Sequence, residues 1–316
     1  MLTTVCKICS NTNNNKYHEF KEMMFGFKDK FTYLECNVCG CLQLTNPPSD
    51  LTKYYPANQY YSFNKISEHP IKRLVKKYLL NKLLKFYLGQ NNFIGKILST
   101  HYEYARKYAW VQHLKNIPLT SSILDIGSGS GKYLLELYYA GFQKITGIDP
   151  YNESIIELNK DVKIFNCIID QVNEKYDLII MNHSLEHMDD QAYIFSQLRR
   201  VLNKDGKVLI RIPIVGGEAW QQYGVHWYQI DAPRHFFIHS LSSFSKLISK
   251  QNFQIETVQF DSTDYQYKFS EQYQQNLSLF EDGHFSKSVY QDWRNKAKIM
   301  NELQKGDQAS FILKYR

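Results

Sequence analysis

The stretch SILDIGSGSGKYLLELYYAGFQKITGIDP, residues 122–150, decides the fold. Ile123, Leu124 and Ile126 make an apolar run of strand length, and Gly127, Gly129 and Gly131 follow as a tight strand-to-helix turn. Glycine lets a backbone bend that sharply and lie close to a ligand. A second apolar strand, Ile145 to Ile148, ends at Asp149, where a carboxylate can accept hydrogen bonds from both hydroxyls of a ribose. The spacing rejects two common nucleotide motifs. Counting from Gly127, Lys132 stands where a dinucleotide fingerprint needs its third glycine. A Walker A loop would need glycine at Ile126 and Ser or Thr at Tyr133. Asp125, closing the first strand, repels phosphate and can receive an ammonium group. The predicted ligand is therefore a nucleoside carrying an amino acid.

S-adenosylmethionine (SAM) meets that description. Residues 121–213 resemble the core of class I SAM-dependent methyltransferases. LDIGSGSG resembles the family's first motif and GIDP the end of its second strand. YDLIIMNHSLEHMDD resembles its fourth strand and following loop, and DGKVLIRIP its fifth strand. The resemblance implies that Asp125, Gly127, Ser128, Gly129 and Gly131 hold the methionine part, and Asp149 with Pro150 the ribose. It further implies that Cys167 and Ile168 line the adenine pocket and that Asn182 sits beside the sulfonium. Tyr104 and Arg106 are expected to reach the SAM carboxylate from a preceding helix.

Around this core the chain has 316 residues, room for one large domain and a small one. Its hydrophobic fraction of 43% is ordinary for a globular protein. No apolar run is long enough to span a bilayer and none follows Met1 as a signal stretch, so a cytoplasmic protein is expected. The net charge of +7 is below that of a committed nucleic-acid binder. The 24 tyrosines, many in residues 54–108 and 265–290, suit polar ligands such as sugars but equally serve as packing.

Five of the six cysteines fall in the first 41 residues, as Cys6-Lys-Ile-Cys9 and Cys36-Asn-Val-Cys39-Gly-Cys41. Two C-x-x-C pairs are what a tetrahedral zinc needs, and a β-hairpin fits the 26 residues between them. Cys6, Cys9, Cys36 and Cys39 are the expected ligands of a structural zinc, with Cys41 as spare or substitute. A reducing cytosol disfavours disulfides. This ribbon, followed by CLQLTNPP, a Tyr-rich stretch and a SAM core, resembles the sugar C-methyltransferases of deoxysugar pathways and methyltransferases of capsule or lipopolysaccharide gene clusters. The C-terminal part is shorter than in the two-lobed sugar enzymes, which argues against an identical reaction.

The expected architecture is α/β: a seven-stranded doubly wound, Rossmann-like sheet with a small N-terminal zinc-binding β segment and a helical insert before the last strand. Residues 1–48 would form the ribbon, 49–118 a Tyr-rich helical linker or lid, and 119–316 the core. Strands are predicted at 121–126, 144–149, 162–166, 176–182, 206–213, 253–261 and 309–315. Helices are predicted at 66–88, 103–116, 130–141, 153–160, 189–202 and 240–251. Lys72, Arg73, Lys76, Lys77, Lys82 and Lys85 give the first of these a basic face, either solvated or docked on an anionic membrane or substrate. Segments 216–239 and 262–308 emerge at the carboxyl ends of strands and are expected to build the acceptor pocket.

Methyl transfer to a hydroxyl needs alignment and a group that takes the proton, and histidine suits that task near neutral pH. His226, His187 and His183 are the candidate bases. Trp220, Tyr223, Trp227, Arg234 and His235 are the candidate acceptor contacts, Arg234 as partner for an anionic group such as a pyrophosphate. The expected activity is O- or C-methylation of a sugar, either a nucleotide sugar or a surface-glycan component. An RNA methyltransferase gripping its substrate with the ribbon is the alternative; NHSL stands where an NPPY-type aminating motif would be. A non-catalytic scaffold is a third reading, disfavoured by the intact glycines and Asp149.

Overall fold

The computed structural model describes residues 4–56 and 70–316; the side chains of residues 70–73 and 106 also lie outside that description. The expectations for Lys72, Arg73 and the Arg106 side chain, and for part of the Tyr-rich stretch, therefore fall outside the described residues. In chain order the strands are β1 (Lys16–Lys21), β2 (Lys30–Glu35), β3 (Leu42–Leu44), β4 (Ser122–Ile126), β5 (Lys144–Ile148) and β6 (Ile156–Asn159). They continue with β7 (Val162–Phe165), β8 (Tyr176–Asn182), β9 (Leu202–Pro213), β10 (Phe237–Ile238), β11 (Phe253–Phe260) and β12 (Gln308–Tyr315). The helices are α1 (Pro70–Tyr87), α2 (Phe93–Ser99), α3 (Tyr102–Tyr108), α4 (Lys132–Ala140), α5 (Gln191–Val201), α6 (Glu218–Tyr223), α7 (Leu241–Lys250), α8 (Tyr265–Gln274) and α9 (Lys287–Glu302).

The large sheet runs β11-β12-β9-β8-β4-β5-β7-β6. β7, β5, β4, β8 and β9 are parallel, while β12 inserts antiparallel between β9 and β11. The strand order reverses between β4 and β8, the switch point at whose carboxyl edge open α/β sheets bind ligands. Both faces of the sheet are covered, which is why β8 reads as a continuous apolar run rather than an alternating one. Ile179 and Met181 pack toward α5 and α7 through Phe195, Leu198, Phe244 and Leu247. Leu178 and Ile180 point the other way, to α1 and α4 through Leu83, Leu84, Leu134 and Leu137.

Two elements differ from the sequence expectation. Residues 153–160 form no helix; β6 pairs antiparallel with β7 and adds an eighth strand. The Asn159 side chain accepts from the Asp161 backbone N–H at 2.8 Å and turns the chain back, so that β6 pairs with β7 while Ile156 and Leu158 pack on the core. The helix expected over 103–116 gives way after Tyr108 to a 3₁₀ stretch, Ala109–Leu114, that buries Trp110, Val111 and Leu114.

The N-terminal segment does not fold apart from the insert after β9. Its hairpin β1–β2 and strand β3 are extended by β10, so residues 237–238 complete the small sheet. None of the described helices is long and apolar enough to cross a membrane.

A Cβ at Gly131 (φ +78°) would sit 2.4 Å from Leu158 Cδ1 and 2.6 Å from Ile164 Cδ1, whereas at Gly216 (φ +99°) it would meet nothing within 4 Å. Gly131→Ala should therefore cost about 2–5 kcal/mol, a left-handed backbone plus overpacking, and Gly216→Ala about 1–2 kcal/mol. Urea denaturation midpoints of the two variants check the order.

Candidate active site and cysteine cluster

A crevice of about 300 Å³ opens at the carboxyl ends of β4, β5, β7 and β8. Ile126, Gly127 and Gly129 form one wall, and Asp149, Pro150 and Tyr151 the next. Cys167, Ile168 and Ile169 close a third side, and His183, Ser184, His187 and Met188 face them from the loop after β8. Tyr55, from the N-terminal segment, lies over the opening and stacks on Tyr151 with ring centroids 6.0 Å apart.

The glycine loop has the backbone its residues allow, with φ of +75°, +52° and +78° at Gly127, Gly129 and Gly131. Asp149 secures it: one carboxylate oxygen accepts from the Gly129 N–H at 2.8 Å, the other from the Tyr151 N–H at 2.9 Å. Each oxygen keeps a second lone pair for a hydroxyl donor. Burial pushes the Asp149 carboxyl above its usual range. Asp125 is pushed further, to about 7, first by burial and then by the Asp149 charge. Its Oδ2 is buried without a hydrogen-bond partner among the described residues. Asp125 is not among the residues lining the crevice; an ammonium group that reached it would answer both the missing bond and the unbalanced charge.

Not every residue expected at the cofactor faces the crevice. The Ser128 hydroxyl is buried and donates to the Ile148 carbonyl at 3.3 Å, and Gly131 packs against Leu158 and Ile164. Asn182 turns its Oδ1 to Arg211 Nη1 at 3.3 Å, and its Nδ2 has no partner among the described residues. Tyr104 lines a separate apolar cavity with Val75, Leu79, Leu83 and Leu98, so its expected reach to the cofactor is not what the fold provides.

The acceptor contacts need larger corrections. Trp227 and Arg234 are fully buried. The Trp227 indole donates to Asp307 at 3.2 Å, and the Tyr223 hydroxyl donates to Glu271 at 2.9 Å. Trp220 packs edge-on against His18 and Trp227. Arg234 turns its guanidinium to Asp231, Glu22 and the Tyr54 carbonyl and is fully buried, out of reach of a pyrophosphate. The physical reason is the β3–β10 pairing, which presses the insert onto the N-terminal sheet and makes its aromatics core. His226 ends an exposed 3₁₀ turn away from the crevice.

The histidine wall is what remains. His183 (φ +52°) is presented into the crevice, its backbone N–H held by the Arg211 carbonyl at 2.9 Å. Its Nδ1 lies 3.1 Å from Glu186 Oε1, and Glu186 is buried. His187 Nδ1 lies 3.0 Å from the Arg234 carbonyl, and burial pushes its pKa down to about 4, leaving the ring neutral. His235 stands behind it, ring centroids 4.7 Å apart. Sequence reading passed over Glu186, Tyr55 and Tyr151. The spacing His183-x-x-Glu186 was a usable signal, because it carries a carboxylate one turn beyond the imidazole; nothing local places Tyr55.

In the N-terminal segment the four thiols of Cys6, Cys9, Cys36 and Cys39 lie within 4.8 Å of one another. The Cys6–Cys39 and Cys9–Cys36 sulfur separations are 3.6 and 3.4 Å. A tetrahedron with metal–sulfur bonds of about 2.3 Å needs edges of about 3.8 Å, so the donor set fits zinc. The Cys39 N–H points at Cys36 Sγ at 3.5 Å, as outer hydrogen bonds to a thiolate do. Cys41 stands outside the group, buried with its thiol toward the Leu42 carbonyl, and burial pushes its pKa well up.

This strand order, glycine loop and carboxyl-edge crevice define the class I SAM-dependent methyltransferase fold. Residues 99–258 match the model of the methyltransferase domain family, and the chain belongs to that family. It is 25% identical over 190 residues to a tRNA U34 carboxymethyltransferase of Dichelobacter nodosus, covering 56% of this chain and 60% of that one. It is 49% identical over 57 residues to EEF1A lysine methyltransferase 2 of Homo sapiens, covering 18% of this chain and 23% of that one. The chain thus spans less than two thirds of either relative. Among solved structures, a possible histamine N-methyltransferase of Thermotoga maritima aligns over 78% of this chain and 96% of its own, with 13% identity and a TM-score of 0.42.

The Asp125 carboxyl gives a pH test. Its folded pKa of about 7 lies above the unfolded value, so between the two the folded state holds a proton the unfolded state lacks. Stability contributed at this site must therefore fall as pH rises from about 4 to about 7. Asp125→Asn should flatten that slope and raise the Tm at pH 8. Thermal unfolding of both proteins from pH 5 to 8 provides the comparison.

Proposed function

We propose that this protein transfers a methyl group from SAM to an oxygen or carbon of a sugar, either a nucleotide sugar or a surface-glycan component. The observation that carries the reading is one crevice in which Gly127, Gly129 and Asp149 face His183 and His187. SAM, when bound, supplies an electrophilic methyl on a sulfonium. Gly127 and Gly129 offer backbone to its methionine part, Asp125 a carboxylate for its ammonium, Asp149 the ribose acceptor, and Cys167 with Ile168 the adenine wall. Asp149 and the glycine turn align the donor, which is most of what an in-line displacement requires.

His183 is the base on this reading. Glu186, a carboxylate, can only accept, so the shared proton sits on His183 Nδ1 and Nε2 keeps its lone pair for an acceptor hydroxyl. Tyr55, Tyr151 and Tyr193 ring the opening, as suits a sugar face. No Lys or Arg lines the crevice among the described residues, which favours an uncharged ring there over a phosphate backbone. Any phosphates of a nucleotide sugar would lie outside it.

The cysteine tetrad, as a zinc site with four protein ligands, has no open position and would act structurally. Cys36→Ser should lose one equivalent of zinc by elemental analysis and lower the Tm, because the metal's binding energy is folding energy for so small a segment.

A nucleic-acid reading draws on the tRNA-modifying relative. Labelled SAM offered with a panel of sugars, nucleotide sugars, tRNA and rRNA, read by mass spectrometry, separates the two: product on RNA alone would overturn the sugar assignment. Within the sugar reading, Asp149→Ala should weaken SAM binding by about 1.5–3 kcal/mol in calorimetry. His183→Asn should lower kcat by roughly 10²–10⁴-fold with SAM affinity kept. A kcat within twofold of wild type would remove His183 from that role.

A further inference from the structure

Behind the crevice, one buried guanidinium pairs with two acids, and a third buried acid lies beside the histidines that adjoin them. Arg234 bonds Glu22 at 2.8 Å and also pairs with Asp231. Glu186, 1% exposed, is the third acid, and its Oε1 faces His183 Nδ1. With neutral histidines the formal charge of this group is −2. Burying two uncompensated charges is costly, so the site as it stands is short of positive charge.

The histidine tautomers sharpen the point. His187 Nδ1 lies 3.0 Å from the Arg234 carbonyl and 3.2 Å from the Tyr55 hydroxyl, which can accept as well, and His235 Nδ1 lies 2.9 Å from the Gln229 carbonyl. A carbonyl can only accept, so both Nδ1 atoms carry protons, and in each neutral ring Nε2 is left with a bare lone pair. Neither Nε2 makes a hydrogen bond among the described residues; His235 Nε2 instead faces the Asp231 carboxylate at 3.8 Å, acceptor against acceptor. Glu186 Oε2 is likewise buried with no partner among the described residues. Histidines that hold metals show this pattern, the far nitrogen donating to a carbonyl and the near one kept deprotonated. One donor atom each of Glu186, His187 and His235 lies within 4.8 Å of the others.

We infer that Glu186, His187 and His235 form a binding site for a divalent first-row metal ion, distinct from the cysteine tetrad and opening onto the crevice at His187. Two imidazoles and one carboxylate leave coordination positions open, the donor set of mononuclear iron or manganese sites. Two positive charges balance the −2 of this group. Bonds of about 2.1 Å set donor–donor edges of about 3.0–3.4 Å, so from separations within 4.8 Å the three side chains close on the ion as it binds. Resting on the methyltransferase reading, the role of the ion is to seat an acceptor oxygen beside His183 and ease its deprotonation.

Manganese(II) is the probe, because thiolates of the tetrad select softer ions. The full chain, loaded with one equivalent of zinc, is titrated with Mn²⁺ while the free-ion EPR signal is followed. Uptake of about one equivalent is expected, and pulsed EPR of the bound ion should show coupling to imidazole nitrogen. His187→Asn and His235→Asn should each weaken uptake at least tenfold. No saturable uptake by the wild-type protein, or uptake without nitrogen coupling, overturns the inference even if a variant misfolds. SAM binding measured on the same samples keeps the two readings apart: if SAM binds and Mn²⁺ does not, only the metal site falls.

Discussion

One buried guanidinium ties the three parts of this protein together. Arg234 comes from the insert after β9, Glu22 from the turn of the β1–β2 hairpin, and Tyr54 from the chain just before the first large helix. All three meet where water does not reach, Arg234 and Glu22 both at 0% exposure. Removing Arg234 would strand the buried Glu22 and Asp231 charges, at about 3–5 kcal/mol. The Arg234 carbonyl in turn holds His187, so the anchor of the N-terminal sheet is also the back of the histidine wall. The small sheet is thus part of the site's frame rather than an appended module.

The electrostatics of the crevice follow from where carboxylates are buried. Burial raises both Asp125 and Asp149, the Asp149 charge raises Asp125 further, and Asp125 lacks a hydrogen-bond partner for one oxygen among the described residues. Across the crevice, Glu186 is buried with one oxygen facing His183 Nδ1 and the other without a hydrogen-bond partner among the described residues. Both sides therefore hold buried carboxylate oxygens without partners among the described residues, an arrangement suited to positively charged groups. A crevice with this polarity and no basic side chain among its described lining is poorly suited to polyphosphate, in agreement with the loop spacing that excludes a Walker motif.

Much of this was legible locally. The apolar runs before Gly127 and Asp149 specified β4 and β5, and YDLIIM specified β8, because strands covered on both faces need no polar alternation. Gly131 had to be glycine for a left-handed turn against Leu158, and two C-x-x-C pairs brought four thiols together as their spacing implied. Ser240 and Asp190 cap α7 and α5 at the start of the segments that their periodicity marked as helical. The 153–160 segment was misread as helix because its strand character depends on pairing with β7, a partner invisible to a local pattern.

The sequence by itself thus determined the parallel core strands, the glycine turn and the two C-x-x-C pairs, since each is written within a few residues. Tertiary structure alone decided which polar and aromatic side chains meet the crevice. Trp227 and Arg234 have the composition of ligand contacts, yet the pairing of β10 with β3 turns them into core. Tyr55 reaches the crevice from some 70 positions before the glycine loop because the same anchor brings its chain there. Long-range packing fixes orientation, and orientation decides which histidines face the crevice.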